Sequence, residues 1–261
     1  MKYIVNIDEY FDLEKTLNCG QCFHFHKIDE NVYKVWGKNS ICHIEQKSNQ
    51  LYIDTNNLKY WIDYFDLDTD YKKIFDYLTE HCTKNNDQYS LRALSAGKGI
   101  HILRQPLFET CCSYIISQRN SIPRIQKTIF AISENFSSSS CNCFPSADDF
   151  IRLRISDLSC IPLGYRRDYL VNFYNNWNLI KTNLEKNYEE DFKTLCKIKG
   201  IGPKVANCIC LYGLNYLDAF PIDVWIGRII KQEYTDKGKE LILPEKYAGI
   251  LQQCMFYYER K

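Results

Sequence analysis

Apolar and polar positions alternate in short runs near the start of the chain. Residues 31–37 (NVYKVWG), 40–46 (SICHIEQ) and 50–56 (QLYIDTN) are rich in Val, Ile and Tyr, with Asn, Lys and Ser between them. Such runs predict strands, here of an antiparallel sheet. The period changes at residue 70. Within 70–82 (DYKKIFDYLTEHC), Tyr71, Ile74, Phe75 and Leu78 recur at helical spacing. The Gly-containing stretch 95–105 (SAGKGIHILRQ) reads as a passage to a second region.

Beyond it, the pattern is helical to the end. Pro106 opens an apolar helix over 106–118, and Pro123 sits near the start of another over 121–136. Ser146 and Asp149 have the spacing of a capping box before 147–153. Further helices are expected over 165–181, 189–198, 203–214, 223–234 and 245–261. The serine patch from Ser137 reads as a loop, since helices flank it closely, and no repeat of fixed period is found. The prediction is an α+β chain. An antiparallel β-rich domain with a few helices covers 1–99, and an all-α domain covers 100–261.

Length and composition fit one large or two modest globular domains. No apolar run is long enough to span a membrane. The start, MKYIVNIDEYFDLE, lacks a basic region followed by an apolar core, so no export signal is expected. Thirteen scattered cysteines, an odd number, suit a reducing compartment better than a disulfide framework. Cys19, Cys22, His24 and His26 cluster in CGQCFHFH, but zinc usually takes two such pairs separated by a loop. Alternation of Cys22, His24 and His26 instead suits one face of a strand, and no metal is expected. Net charge is only +1, yet it is unevenly placed: 12 basic and 15 acidic residues over 1–99, against 21 and 17 over 100–261. A polyanion surface would belong to the second region.

The densest chemistry lies in 196–214, CKIKGIGPKVANCICLYGL. Gly200 and Gly202 allow positive φ and close backbone approach between two helices. Backbone N–H groups beside a helix start make a seat for phosphate. A plain helix–helix turn would use the same glycines, but Pro203-Lys204 directly after them favours a DNA-binding helix–hairpin–helix. Nineteen residues after Lys204, Asp223 follows Pro221-Ile222 and precedes an apolar helix. Asp is a preferred N-cap, and a capping carboxylate can still face a site. One helix and one returning loop could bring Lys204 and Asp223 together.

A Gly-x-Gly-x-Lys hairpin followed by Pro-x-Asp-Val resembles the lysine-bearing, bifunctional branch of the helix–hairpin–helix DNA glycosylases. Four further segments resemble the 8-oxoguanine DNA glycosylase/lyase family: CGQCF, LGYRRDY, ISQRNSIPRI and YAGILQQCMFYY. Together these matches run from about residue 11 to 259.

The resemblance implies a role for each matching residue. Tyr165 would be the wedge that kinks the duplex, and Arg166 and Arg124 would bond the cytosine orphaned by base flipping. Where the family usually has Asn to fill the strand gap, this chain has Arg119 followed by Asn120, and either could serve. The flipped base would lie between Cys208, four residues after Lys204, and Phe256. Gln252, one turn before Phe256, would bond its Watson–Crick edge. Glu259 lies one turn further on. The Gly20 carbonyl would accept the N7–H that only the oxidised base carries, an unpaired contact for guanine. Lys204 would attack C1′, displace the base and form a Schiff base, with Asp223 stabilising the developing positive sugar. The amine must be neutral to attack, which a first-turn position and a closed pocket both favour. Loss of a 2′ proton would then permit β-elimination and strand nicking.

On this reading the chain is a cytoplasmic or nucleoid monomer acting on double-stranded DNA with oxidised guanine opposite cytosine. It would need no cofactor, although the hairpin backbone could hold a monovalent cation. The iron–sulfur cluster of related glycosylases is not expected, Cys254 being the last cysteine. Two other readings stay open: a monofunctional glycosylase for alkylated bases, which Lys204 opposes, and a non-catalytic DNA-binding module, which the Lys204–Asp223 pair opposes.

Overall fold

The computed structural model describes residues 1–154 and 156–261. Five strands form one antiparallel sheet: β1 (Lys2–Asn6), β2 (Phe25–Asp29), β3 (Val32–Gly37), β4 (Ser40–Lys47) and β5 (Gln50–Asp54), in the order β1-β5-β4-β3-β2. Tyr33 and Val35 of β3, Cys42 and Ile44 of β4, and Leu51 and Ile53 of β5 turn to one buried face. There they meet Trp61, Tyr64 and Phe65 at the end of α2 (Leu58–Tyr64), and Leu13 and Leu17 of α1 (Leu13–Asn18). The pattern predicts β3, β4 and β5 but misses β1 and β2. These are the two edges of the sheet. Each pairs on one side only; β1 alternates only between exposed and half-buried positions and β2 is exposed after Phe25, so neither shows the strong buried–exposed contrast of an interior strand.

The Cys/His cluster is not a strand face, because β2 begins only at Phe25. Cys19 and Cys22 donate to the carbonyls of Thr16 and Leu17. His24 stacks on Trp36 and meets Glu109 at 3.1 Å. No group of three or more His, Cys, Asp or Glu side chains is placed to hold a metal among the described residues.

The remaining helices share a second core: α3 (Tyr71–Lys84), α4 (Gln88–Gly97), α5 (Leu107–Ser117), α6 (Ile122–Phe136), α7 (Ala147–Ile151), α8 (Arg166–Asn175), α9 (Trp177–Thr182), α10 (Tyr188–Cys196), α11 (Pro203–Tyr212), α12 (Val224–Ile229) and α13 (Ala248–Glu259). The capping box at Ser146 and Asp149 is formed at the start of α7. The passage expected from residue 95 begins inside α4 and becomes extended only after Gly97. A Cβ at Gly97 would stand 2.5 Å from Cys254 Sγ, and that lack of a side chain lets α13 pack against α4. The single helix expected over 165–181 divides at Asn176, whose amide donates to the Asn172 carbonyl at 2.8 Å and caps the break. The helix expected over 223–234 keeps α-geometry only to Ile229 and continues as a π-turn over Ile230–Tyr234.

His101 lies between the two cores on the extended segment after α4. It stacks on Tyr71 with ring centres 3.6 Å apart, and its Nδ1 donates to the Phe65 and Asp66 carbonyls, each at 3.1 Å. Its Nε2 is buried with no partner among the described residues. Burial holds its pKa down to about 4.

Candidate active site

The hairpin between α10 and α11 sets the site. Asp191, fully buried, accepts the Glu185 N–H at 2.9 Å and the Tyr216 hydroxyl at 2.7 Å, which anchors the start of α10. The two turn glycines have different reasons. Gly200 has φ +93°, and a Cβ there would lie 2.3 Å from the Tyr169 ring, so the fold requires glycine. Its carbonyl accepts from Gln118 Nε2 at 2.9 Å. Gly202 does not take the positive φ that the sequence allowed. Its φ is −90°, and a Cβ would meet nothing within 4 Å. No neighbour among the described residues demands glycine there. Close approach of something from outside would.

Gly202 caps α11 with Pro203 behind it, which puts Lys204 in the first turn. Lys204 is half-buried, and its Nζ lies 5.3 Å from the centre of the Tyr114 ring. Cys208 is one turn further on and buried. Desolvation pushes its thiol pKa up, while the neighbouring Lys204 charge and hydrogen bond pull it down. Asp223 is the N-cap of α12. Its Oδ1 accepts the N–H of Trp225 at 3.0 Å and of Ile226 at 2.9 Å, and neither bond uses Oδ2.

Lys204 and Asp223 line one small cavity together with Gly20, Cys208, Gln252 and Phe256. Gln252 is 3% exposed, and its Oε1 is buried without a hydrogen-bond partner among the described residues. A buried amide oxygen with no partner is costly unless something else completes it. Gly20 has φ +87°, and a Cβ there would press on the Phe256 ring at 3.1 Å. The carbonyl of Cys19 accepts from Gln253 Nε2 at 2.9 Å. The carbonyl of Gln21 accepts from Gln105 Nε2 at 2.9 Å and from the Tyr114 hydroxyl at 3.1 Å. Gly20's own carbonyl receives no such bond among the described residues.

The cavity opens into a wider cleft that Arg119, Asn120 and Gly202 also line. Arg119 is exposed with φ +48°, whereas Asn120 is tied down, donating to the Ile116 carbonyl at 3.3 Å and accepting from Ser121 N–H at 3.1 Å. Arg124, Tyr165 and Arg166 stand outside both spaces. Arg124 is exposed and makes no ion pair within 4 Å among the described residues. Tyr165, 47% exposed, donates to the Gln118 carbonyl at 3.2 Å. Arg166, expected to bond the orphaned cytosine, donates within the protein in this structure. Its Nε donates to the Gln118 carbonyl at 2.8 Å and its Nη2 to the Arg119 carbonyl at 3.0 Å. It braces the loop that carries Arg119.

Sequence reasoning missed Tyr114, Tyr212 and Gln253 at this site. All three are buried on apolar helices, where an aromatic or amide gives no periodic signal. Ile222, Val224 and Trp225, which flank Asp223 and line the cleft with their apolar side chains exposed, were also missed.

Residues 3–111 match the family model of the 8-oxoguanine DNA glycosylase N-terminal domain. The chain is 30% identical over 221 residues to the N-glycosylase/DNA lyase of Saccharomyces cerevisiae, a match covering 76% of this chain and 56% of the yeast protein. It therefore spans about half the length of that relative. Among solved structures, MBOgg1 in complex with a low affinity DNA ligand superposes with a TM-score of 0.87 at 30% identity, covering 99% of this chain and 95% of that one. The Clostridium acetobutylicum 8-oxoguanine glycosylase/lyase, in complex with double-stranded DNA containing cytosine opposite 8-oxoguanine, superposes with a TM-score of 0.84 at 28% identity over 99% and 95% of the two chains. With near-complete coverage of MBOgg1 at that identity, this chain belongs to the 8-oxoguanine DNA glycosylase family.

Proposed function

We propose that the protein excises 8-oxoguanine from duplex DNA through a lysine Schiff base and then nicks the strand at the abasic site. The observation that carries the reading is the unpartnered, buried Gln252 Oε1 in the same cavity as Lys204 and Asp223. A flipped guanine-type base offers N1–H and exocyclic N–H donors on its Watson–Crick edge, and Gln252 Oε1 would accept from them. The free Gly20 carbonyl would accept N7–H from the oxidised base and would face a lone pair in guanine.

Lys204 Nζ attacks C1′. The C1′–N9 bond breaks, its electrons leave with the base, and the sugar ring opens to the Schiff base. A proton then leaves C2′ and the 3′ phosphate is eliminated. The cavity-facing Asp223 carboxylate stabilises positive charge at C1′ as the base departs. Arg119 fills the gap left by the flipped base, because the Asn120 amide is held within its own loop. Arg124 reads the opposite base, which the Clostridium acetobutylicum complex suggests is cytosine. Exposed backbone N–H groups at Gly202 seat a phosphate. No metal or redox cofactor enters this chemistry; hairpin carbonyls could seat a monovalent cation. The protein acts as a monomer.

Borohydride should trap the wild type on a duplex containing 8-oxoguanine opposite cytosine. Lys204→Gln should bind the same duplex and give no adduct. Base release by Lys204→Gln at the wild-type rate would remove Lys204 as nucleophile.

A further inference from the structure

The contact that would separate 8-oxoguanine from guanine is a backbone carbonyl, so its selectivity rests on how firmly Gly20 is held. Glycine itself supplies no rigidity. The Gln21 side is anchored through its side chain, which donates to the Thr16 carbonyl at 2.9 Å and the His101 carbonyl at 2.8 Å and accepts from the Leu103 N–H at 2.9 Å. The Cys19 side has one tie to the pocket helix α13. Gln253 Nε2 donates to the Cys19 carbonyl at 2.9 Å, and the Tyr212 hydroxyl donates to Gln253 Oε1. Gln253 is 1% exposed and Tyr212 5%. Both amide ends are therefore used, and the tie has one geometry.

Gln253 is also the immediate neighbour of Gln252. One helix thus carries the amide that faces the cavity and the amide that holds the loop bearing the Gly20 carbonyl. Tyr212 reaches Gln253 from α11, the helix of Lys204 and Cys208. We propose that Gln253, held by Tyr212, is a positioning residue that sets the distance between the Gly20 carbonyl and the Gln252 amide, and thereby the selectivity for the oxidised base. The inference rests on the function proposed above. Both ends of the Gln253 amide are taken up within the protein, by Tyr212 and by the Cys19 carbonyl, so its effect on the base passes through Gly20. Burial pushes the Tyr212 hydroxyl well above its ordinary range, so it stays a donor at working pH.

The test is a split between two reactions. Excision of 8-oxoguanine needs the Gly20 contact, whereas nicking of a preformed abasic site needs Lys204 but no base. Gln253→Met keeps length and removes the tie; Tyr212→Phe keeps the ring and leaves Gln253 Oε1 unpaired. Each should slow single-turnover excision about tenfold, the size of one misplaced hydrogen bond, with abasic-site nicking within about threefold of wild type. In a Lys204→Gln background, which holds substrate unreacted, each should lower the affinity ratio for duplexes with 8-oxoguanine over guanine by a similar factor. An unchanged ratio in both variants overturns the inference, as does equal loss of excision and nicking in both, which would make the pair purely structural. A wild type that does not distinguish the two duplexes would instead sink the proposed substrate.

Discussion

The two oxygens of Asp223 have different surroundings. Oδ1 is taken by the N–H groups of Trp225 and Ile226, and neither bond uses Oδ2. Asn keeps an oxygen for the cap and loses the charge. Asp223→Asn should therefore slow excision about 10²–10³-fold, while duplex affinity changes only a few-fold and stability stays near wild type. Equal losses of rate and affinity would reduce Asp223 to a helix cap. The arginines divide in the same way. Arg166 is bound to two loop carbonyls, and Arg124 is exposed without an ion pair among the described residues. Arg124→Ala should flatten the preference for cytosine opposite the lesion, since a good base contact is worth roughly 1–3 kcal/mol of discrimination. Excision rates opposite all four bases check this. An unchanged cytosine preference would take Arg124 out of the role. Lys204, Asp223 and Gln252 were legible as residues because short motifs carry them. Gln253 and Tyr212 were not, because a buried hydrogen bond between helices leaves no trace in spacing.

At the level of the element, the hairpin separates a demand of the fold from a demand of the ligand. Gly200 has a left-handed φ and the Tyr169 ring against it; Gly202 has ordinary φ and open space. Gly200→Ala should destabilise the protein by about 1–3 kcal/mol, visible as a lower Tm. Gly202→Ala should leave Tm almost unchanged and weaken duplex binding, as its Cβ would stand where a phosphate backbone approaches. If Gly202→Ala binds DNA like wild type, that surface is not the phosphate seat. The sequence pattern located both helices of the hairpin but assigned the two glycines one shared reason. It also ran 165–181 together as a single helix, since a capping asparagine such as Asn176 fits an amphipathic run as well as a break.

On the scale of the whole molecule, two cores meet at the extended segment after α4. Phe23, from the loop before β2, packs in the helical core, and Leu103, from the extended segment, packs in the sheet core. His101 sits at this junction, between the Phe65–Asp66 backbone and the Tyr71 ring. The unfolded chain takes up its proton near pH 6.5, whereas the folded chain resists until about 4. Stability is therefore full above about pH 6.5 and falls as pH drops toward 4, by about 3 kcal/mol from this one group. Urea unfolding at pH 7 and pH 4.5 should show that loss in the wild type and a smaller one in His101→Gln. Identical slopes would mean that other groups govern the acid limb.

The sequence by itself determined the order of a strand-rich start and a helical remainder, the hairpin, and Lys204 and Asp223 as the candidate pair. Those follow from local rules: period, capping, turn chemistry and short spacings. The edge strands β1 and β2 were beyond it, because neither buries a full face against the core and the buried–exposed contrast that marks a strand is weak in both. Tertiary structure alone brought Gly20, from the loop after α1, against Phe256 of α13, more than two hundred residues later in the chain. It also decided that Arg166 braces a loop and that Gln253 holds the segment before Gly20. Each of those is a long-range packing outcome, set by which helix faces meet once apolar surface is buried, and no local pattern encodes the meeting.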